Sequence, residues 1–305
     1  LFPVRLHPHI FLIDLKPTGF QSFISSYLIK SKRVGIVETG PAATIPNLLR
    51  GLEELGINAA DVDYVAVSHI HLDHGGGVGT LLSYLPQARL LVHKRGAPHV
   101  MNPDRLWKQA QNVLGPVAEL YEEPVAVSSE RILVAEDGMT LDLGDDVRIR
   151  VVETLGHASH HLSFYDEKSE GVFPGDTAGI YIPEFDVIIP TTPPPLHLET
   201  MLGSLDKLMQ LKPTSLYYSH FGEAPDALHK LQLHKDQLKV WGDTVQGGMR
   251  DNATLEEIEE RIVKADPAVR TALNYIRTHP IMGRGIIAQN IQGFIQYFKR
   301  AQAHE

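Results

Sequence analysis

The chain has 305 residues, 43% hydrophobic and 21% charged, the balance of a globular protein of one large or two modest domains; a disordered chain, a collagen-like fibre and a coiled-coil rod are excluded. With 28 basic and 37 acidic residues the net charge is −9, so nothing global draws the chain to nucleic-acid phosphates. No apolar run approaches the roughly 18 residues of a membrane helix, and cysteine is absent, which excludes disulfides, thiolate zinc sites and a cysteine nucleophile.

The first 220 residues alternate strand-like and helix-like patterns. Ser22–Ile29 and Arg33–Val37 read as a hairpin. Thr44 to Leu55 carries Ile45, Leu48, Leu49, Leu52 and Leu55 at helical spacing. Tyr64–Val67 is a short buried strand, Val78 to Leu85 a helix stopped by Pro86, Arg89–His93 a strand and Asp104–Leu114 a helix. Arg131–Ala135, Val147–Glu153, Leu162–Asp166, Gly171–Phe173 and Ser215–Ser219 are further strands, nine or ten in all. In Val147–Glu153 the apolar Val147, Ile149 and Val151 alternate with Arg148 and Arg150, a strand with one wet face. Residues 183–197, with Pro183, Pro190 and Pro193–Pro195, read as stiff and extended, and Leu198–Leu211 as an amphipathic helix.

Beyond residue 222 the strand signal disappears. Leu228 to Val245 suggests one helix. Thr254 with Glu257 is a capping box for a second, and Asp266-Pro267 is a cap and first-turn proline for a third. Ile287, Ile291, Phe294, Ile295 and Phe298 mark a last one. The expected organisation is an αβ domain over 1–222 and a helical region over 223–305.

Sixteen histidines carry the functional signal through their placement. Ser68-His69-Ile70-His71-Leu72-Asp73-His74-Gly75-Gly76-Gly77 leaves the strand Tyr64–Val67 and offers His69, His71, Asp73 and His74. Imidazole and carboxylate together suit zinc, iron(II) or manganese. Residues two apart can hold one ion, and the next turn a second; the plain alternative is a charged surface loop with accidental spacing. His157, Asp176 and His220 each follow a predicted strand, so loops at one end of a sheet would bring all seven together. Seven ligands for two ions leave coordination positions open, as a catalytic site requires.

The pattern His69-x-His71-x-Asp73-His74, followed by His157, Asp176 and His220, resembles the metallo-β-lactamase superfamily over residues 20–222. That resemblance implies an α+β fold, a four-layer αβ/βα sandwich, here with a C-terminal helical region. It implies His69, His71 and His157 on one metal ion, Asp73, His74 and His220 on a second, and Asp176 bridging. Glu38, in Val34–Gly40, stands where the family carries an aspartate, so its supporting contact must be made by a longer side chain or not at all. Gly156, His157 and His161 resemble the family's Gly-His-x-x-x-His, with His161 a support behind the ligands and His160 either pocket wall or surface. Lactonases of the family place a tyrosine three residues after the bridging aspartate. Gly179 stands there in this chain, so Tyr181 becomes the candidate for contact with a substrate oxygen.

The expected cofactors are two divalent metal ions, zinc first, with iron or manganese as alternatives. The expected chemistry is hydrolysis of a small ester, lactone or thioester by a metal-bridging hydroxide, with Asp73 passing the proton to the leaving group. Dinuclear β-lactamases of the family typically use a cysteine, absent here, and its oxygen-reducing diiron group has glutamate where His71 stands. The alternatives are an iron-dependent persulfide dioxygenase, in which Asp73 and His74 need not bind metal, and a non-enzymatic metal-binding protein. The expected partner is a small-molecule substrate, with no nucleic acid and no membrane, and a homo-oligomer is compatible. Without cysteine, and without a leader-like stretch at Leu1–Phe11, a cytoplasmic location is expected.

Overall fold

The computed structural model describes residues 3–303; Leu1, Phe2, His304 and Glu305, at the ends of the two expected regions, lie outside the described residues. Two sheets face each other. The first runs in sequence order: β1 (Val4–His7), β2 (Ile10–Asp14), β3 (Ser25–Lys30), β4 (Val34–Val37), β5 (Val62–Ala66), β6 (Arg89–His93) and β7 (Ile132–Ala135). Its strands are antiparallel up to β4 and parallel from β4 to β7. Parallel neighbours need crossovers, and helices supply them. These are α1 (Ile45–Glu54), then α2 (Leu72–Gly75) and α3 (Val78–Tyr84), then α4 (Ala97–Met101), α5 (Asp104–Leu114) and α6 (Pro116–Tyr121).

The second sheet contains β8 (Thr140–Gly144), β9 (Val147–Glu153), β10 (Leu162–Asp166) and β11 (Gly171–Phe173). A separate hairpin of β12 (Ile180–Ile182) and β13 (Val187–Ile189) follows, then α7 (Leu198–Gln210). β14 (Ser215–Tyr218) and β15 (Gly222–Pro225) complete the sheet in the order β15-β14-β11-β10-β9-β8.

Period-two alternation decides what fills the space between the sheets. Leu12, Tyr27, Ile29 and Val37 of the first meet Ile149, Val151, Phe164 and Phe173 of the second in one buried cluster. The Tyr27 hydroxyl donates to the Tyr218 carbonyl at 2.6 Å, which joins the sheets beside the strand that leads to His220. On the outer faces the stripes Ile45, Leu48, Leu52 of α1 and Met201, Leu205, Leu208 of α7 are buried. Helices, sheet, sheet and helices make the expected four layers.

The C-terminal region is α8 (Ala227–Arg250), α9 (Leu255–Ala265), α10 (Pro267–Thr278) and α11 (Ile286–Gln302). Thr254 and Glu257 form the reciprocal capping box of α9, worth about 1 kcal/mol. Asp266 accepts from Ala268 N–H at 2.8 Å to cap α10, and also takes the indole N–H of buried Trp241 at 2.7 Å. These helices also brace the proline-rich stretch. Asn290 accepts from Thr192 N–H at 2.7 Å, and a Cβ at Gly293 would lie 1.7 Å from the Thr192 carbonyl oxygen.

The elements differ from the sequence-based expectation in three places. Among the described residues fifteen strands are present rather than nine or ten; the additions include β1, β2 and β8, short strands of four or five residues. The 183–197 stretch is not wholly irregular, because Val187–Ile189 pairs with Ile180–Ile182. The boundary at 222 is also too early. Gly222–Pro225 adds to the edge of the second sheet against β14, and the helices begin at Ala227. Pro225 hid this strand, yet an edge strand tolerates proline because its outer N–H has no ladder partner to lose.

Candidate metal centre

The sandwich brings the seven residues together at one end. His69, His71, Asp73 and His74 lie on the loop and short helix after β5, in the first sheet. His157 follows β9, Asp176 follows β11 and His220 follows β14, all in the second. The cluster therefore straddles both sheets, and the inter-sheet packing sets its geometry.

Three groups of ligand atoms form, each within 4.8 Å: His69, His71 and His157 are the first, Asp73, His74 and His220 the second, and His69, His74 and Asp176 lie across the two. In the first, His71 Nδ1 is 2.9 Å from His69 Nε2 and 3.1 Å from His157 Nε2. In the second, His220 Nε2 is 3.2 Å from His74 Nε2 and 3.5 Å from Asp73 Oδ2. Asp176 reaches both. Its Oδ2 is 3.5 Å from His157 Nε2, and its Oδ1 is 3.2 Å from His74 Nε2 and 3.7 Å from His220 Nε2.

The hydrogen bonds behind the ligands show that these residues fit metal ions. His157 Nδ1–H donates to the Thr191 carbonyl at 2.8 Å, and His220 Nδ1–H to the Phe23 carbonyl at 2.9 Å. A carbonyl only accepts, so both rings are fixed with their Nε2 lone pairs turned into the cluster. Asp176 Oδ1 is buried with no hydrogen-bond partner. Lone pairs and an unpartnered carboxylate oxygen converging in a buried space call for cations.

The two groups differ electrically. Burial and neighbouring imidazoles hold His69 well below its ordinary pKa and push His71 down to about 3, so both are neutral. Burial opposes the charging of His74, but Asp176, Asp73 and Glu38 outweigh it and lift that imidazole well above its ordinary value. Asp73 and Asp176 are likewise held ionised by nearby histidines, His74 foremost, against the cost of burial. Asp73 is the accessible carboxylate, its side chain 27% exposed against 6% for Asp176.

Glu38 makes its supporting contact with the longer side chain. Its Oε1 accepts from Ser68 N–H at 3.3 Å and Ser219 Oγ–H at 3.1 Å, and lies 3.5 Å from His74 Nδ1. It thereby ties together the two loops that carry His69 and His220. His161 accepts from Asp176 N–H at 3.1 Å through Nε2, and Nδ1–H donates to Thr154 Oγ1 at 2.9 Å, which fixes the backbone of the shared carboxylate. His160 packs edge-on against the His71 ring, 5.9 Å between centroids, at the wall of the cluster.

The backbone N–H of Tyr181 donates to the His220 carbonyl, but its side chain does not join the cluster. Its hydroxyl donates to Asp186 Oδ1 at 2.8 Å, beside Lys230, because the β12–β13 hairpin aims it along its own turn. Gly179 could not carry the tyrosine either. It has φ +79°, and a Cβ there would lie 2.6 Å from the Ile189 carbonyl oxygen. The proline-rich stretch does touch the site, through the Thr191 carbonyl on His157. Sequence reasoning missed that acceptor and the Phe23 carbonyl, because any residue can supply a backbone oxygen. It also made no use of Tyr121, which is buried at the end of α6, the helix packed against α2.

A profile of the Metallo-beta-lactamase superfamily matches residues 19–220. The chain belongs to that superfamily. It is 30% identical over 206 residues, 65% of this chain and 76% of the relative, to the metallo-beta-lactamase fold-containing protein ST1585 of Sulfurisphaera tokodaii. It is 23% identical over 264 residues, 84% of this chain and 86% of the relative, to a hydroxyacylglutathione hydrolase of Brucella ovis. The crystal structure of the metallo-beta-lactamase family protein TTHA1429 from Thermus thermophilus superposes with a TM-score of 0.71 at 21% identity, covering 98% of this chain and 96% of that one. That likeness extends the shared fold through the helical region. Among the described residues no helix is long and apolar enough to cross a membrane.

Proposed function

We propose that this chain is a hydrolase of a small ester, lactone or thioester that works with two divalent ions, zinc first among them. The observation that carries this reading is the shared carboxylate. Asp176 spans an all-imidazole group and a carboxylate-bearing group, so the residues present two adjacent cation sites with a common ligand. His69, His71 and His157 would hold one ion and Asp73, His74 and His220 the other. Such a pair, when bound, supplies a Lewis acid for a carbonyl oxygen and a water that ionises near neutral pH.

The chain's own residues do the rest. Asp73 is ionised and partly exposed, so its carboxylate can accept a proton from water and hand it to a leaving group. His157 and His220 cannot compete for that proton at Nδ1, which is already given to a backbone carbonyl. The substrate class draws support from the similarity to the Brucella hydroxyacylglutathione hydrolase. It also draws on the net charge of −9, which gives polyanionic nucleic acids little help.

The test is a panel of esters, lactones and thioesters against phosphodiesters on one zinc-loaded preparation, with elemental analysis of protein purified without added metal. Turnover of at least one carbonyl substrate and about two ions per chain are expected. Phosphodiester cleavage faster by tenfold or more would overturn the carbonyl reading. Activity confined to iron-loaded protein with oxygen and a persulfide would favour the dioxygenase instead.

A further inference from the structure

Tyr121 is a phenol with no structural task that uses its hydroxyl. The ring is 2% exposed and belongs to the main apolar core. Its helix, α6, packs against α2, which carries Asp73 and His74, and against the turns Pro17–Gly19 and Ala42–Thr44. The hydroxyl makes no hydrogen bond to any described residue. Nor is it among the polar atoms sealed from solvent without a partner, so it opens to solvent. Other buried tyrosines are engaged differently: Tyr27 and Tyr181 donate within the protein, and the Tyr218 oxygen is sealed in.

The packing of α6 on α2 places Tyr121 on the Asp73 side of the cluster. Burial first, and then the negative charges of Asp73 and Asp176, hold the Tyr121 phenol well above its ordinary pKa. Of the tyrosines with shifted acidity, it alone feels both of those carboxylates. The next residue, Glu122, sits at φ 65° and ψ 161°, a region that glycine occupies almost alone. Holding glutamate there costs about 1–3 kcal/mol. This strain ends α6 abruptly and fixes the position of Tyr121.

We propose that the Tyr121 hydroxyl is a substrate contact, donating a hydrogen bond to the oxygen that a bound ester, lactone or thioester brings to the Asp73 side of the cluster. The proposal rests on the hydrolase reading above. A phenol that stays protonated is a donor at any ordinary pH, and it is free to give its proton because no described residue accepts it. Asp73 is the exposed carboxylate, so a ligand enters on that side, and α6 forms that wall. As the ligand oxygen gains negative charge during addition of water, a hydrogen bond to it strengthens, which favours turnover over ground-state binding.

The experiment uses the zinc-loaded chain and Tyr121→Phe, which keeps the ring and removes only the hydroxyl. The probe is acetohydroxamate, an anionic oxygen chelator tied to no substrate class, titrated by calorimetry. Tyr121→Phe should keep its full metal content and bind acetohydroxamate roughly tenfold more weakly, the loss expected for one hydrogen bond to a charged oxygen. On any ester, lactone or thioester that the native chain turns over, kcat should fall by about 10²-fold with KM within about twofold. Equal acetohydroxamate affinity in the two proteins would overturn the proposal. Metal loss in Tyr121→Phe would overturn it too, because the residue would then support the ligands rather than touch substrate. If the native chain turned over none of the three classes, the hydrolase reading would fall while the acetohydroxamate comparison still decided the role of Tyr121.

Discussion

The two halves of the cluster meet at Asp176 and through His69, yet they differ in charge. His69, His71 and His157 form an all-imidazole half whose members His69 and His71 are driven neutral by burial and by one another. Asp73, His74 and His220 form a half in which ionised Asp73 faces an imidazole lifted towards its charged form. One half therefore stands ready for a cation, whereas the other holds a proton that a cation must displace. Coordination geometry alone does not show this difference; it comes from where the carboxylates lie. On the function proposed above, the first half would hold a stable ion, and the second an ion coupled to the acid–base group that faces solvent.

The sharpest way to break the comparison is to remove the ligand common to more than one grouping. His69 belongs to the all-imidazole half and also lies within ligand distance of His74 and Asp176. His69→Ala should lose metal and turnover together, with activity down by at least about 10⁴-fold, beyond what an acid–base group alone contributes. Elemental analysis of the purified variant checks the metal, and retention of two ions would show that the halves do not depend on His69.

Asp73→Asn cuts on the other side. The amide cannot carry a proton, so kcat should fall by roughly 10²–10⁴-fold. The all-imidazole half should keep its ion, since Asp73 is not part of it. A variant that turned over substrate at the native rate would strip Asp73 of both the proton and the ligand role.

How much of this was legible in the sequence follows from the same contrast. The clustering of the candidate ligands was readable because imidazoles and carboxylates packed this densely after a strand have few other uses, and because strand ends recur at His157, Asp176 and His220. The layers were readable from period-two runs such as Val147–Glu153. What supports the ligands was only half readable. Glu38 and His161 have side chains that announce themselves, but Thr191 and Phe23 act through carbonyls that any residue has. Tyr181 and Tyr121 show the limit of counting along the chain. Five residues from Asp176 suggested contact, yet the hairpin turns Tyr181 to Asp186, while Tyr121 arrives from a distant helix. The strand Gly222–Pro225 escaped for a similar reason: four residues with a terminal proline look like a turn until a neighbour pairs with them.

The pH dependence of metal affinity sharpens the comparison further. The pKa of His74 is raised in the ion-free protein by Asp176, Asp73 and Glu38, so near neutral pH it carries a proton that cation binding must release. Affinity at that half should therefore rise with pH, by about tenfold per unit while one proton is displaced, until pH passes the raised pKa. His71, already pushed down to about 3, has no proton to release across the same range. Chelator competition between about pH 6 and pH 8 should show one pH-independent ion and one pH-dependent ion. Calorimetry in buffers of different ionisation heat should give close to one proton released for the second ion. Two ions with the same slope would mean that the halves are electrically alike.

Glu38→Gln is the smallest of these changes and the most selective. Glutamine keeps an oxygen that can accept from Ser68 N–H and Ser219 Oγ–H, so the tie between the two ligand loops should survive. The negative charge 3.5 Å from His74 Nδ1 disappears. Two consequences oppose each other. The proton on His74 is held less tightly, which eases its displacement by a cation. The imidazole also loses the anionic partner that makes it a better donor to that cation, a supporting contact whose removal typically costs about 10–100-fold in affinity. Because Asp176 and Asp73 still act on His74, ahead of Glu38, most of its raised pKa should remain, and the lost support should prevail. The expected outcome is a roughly tenfold weaker second ion with the first unchanged, read by chelator competition. Equal weakening of both ions would place the role of Glu38 in holding the loops together, and the electrical difference between the halves would then rest on Asp73 and Asp176 alone.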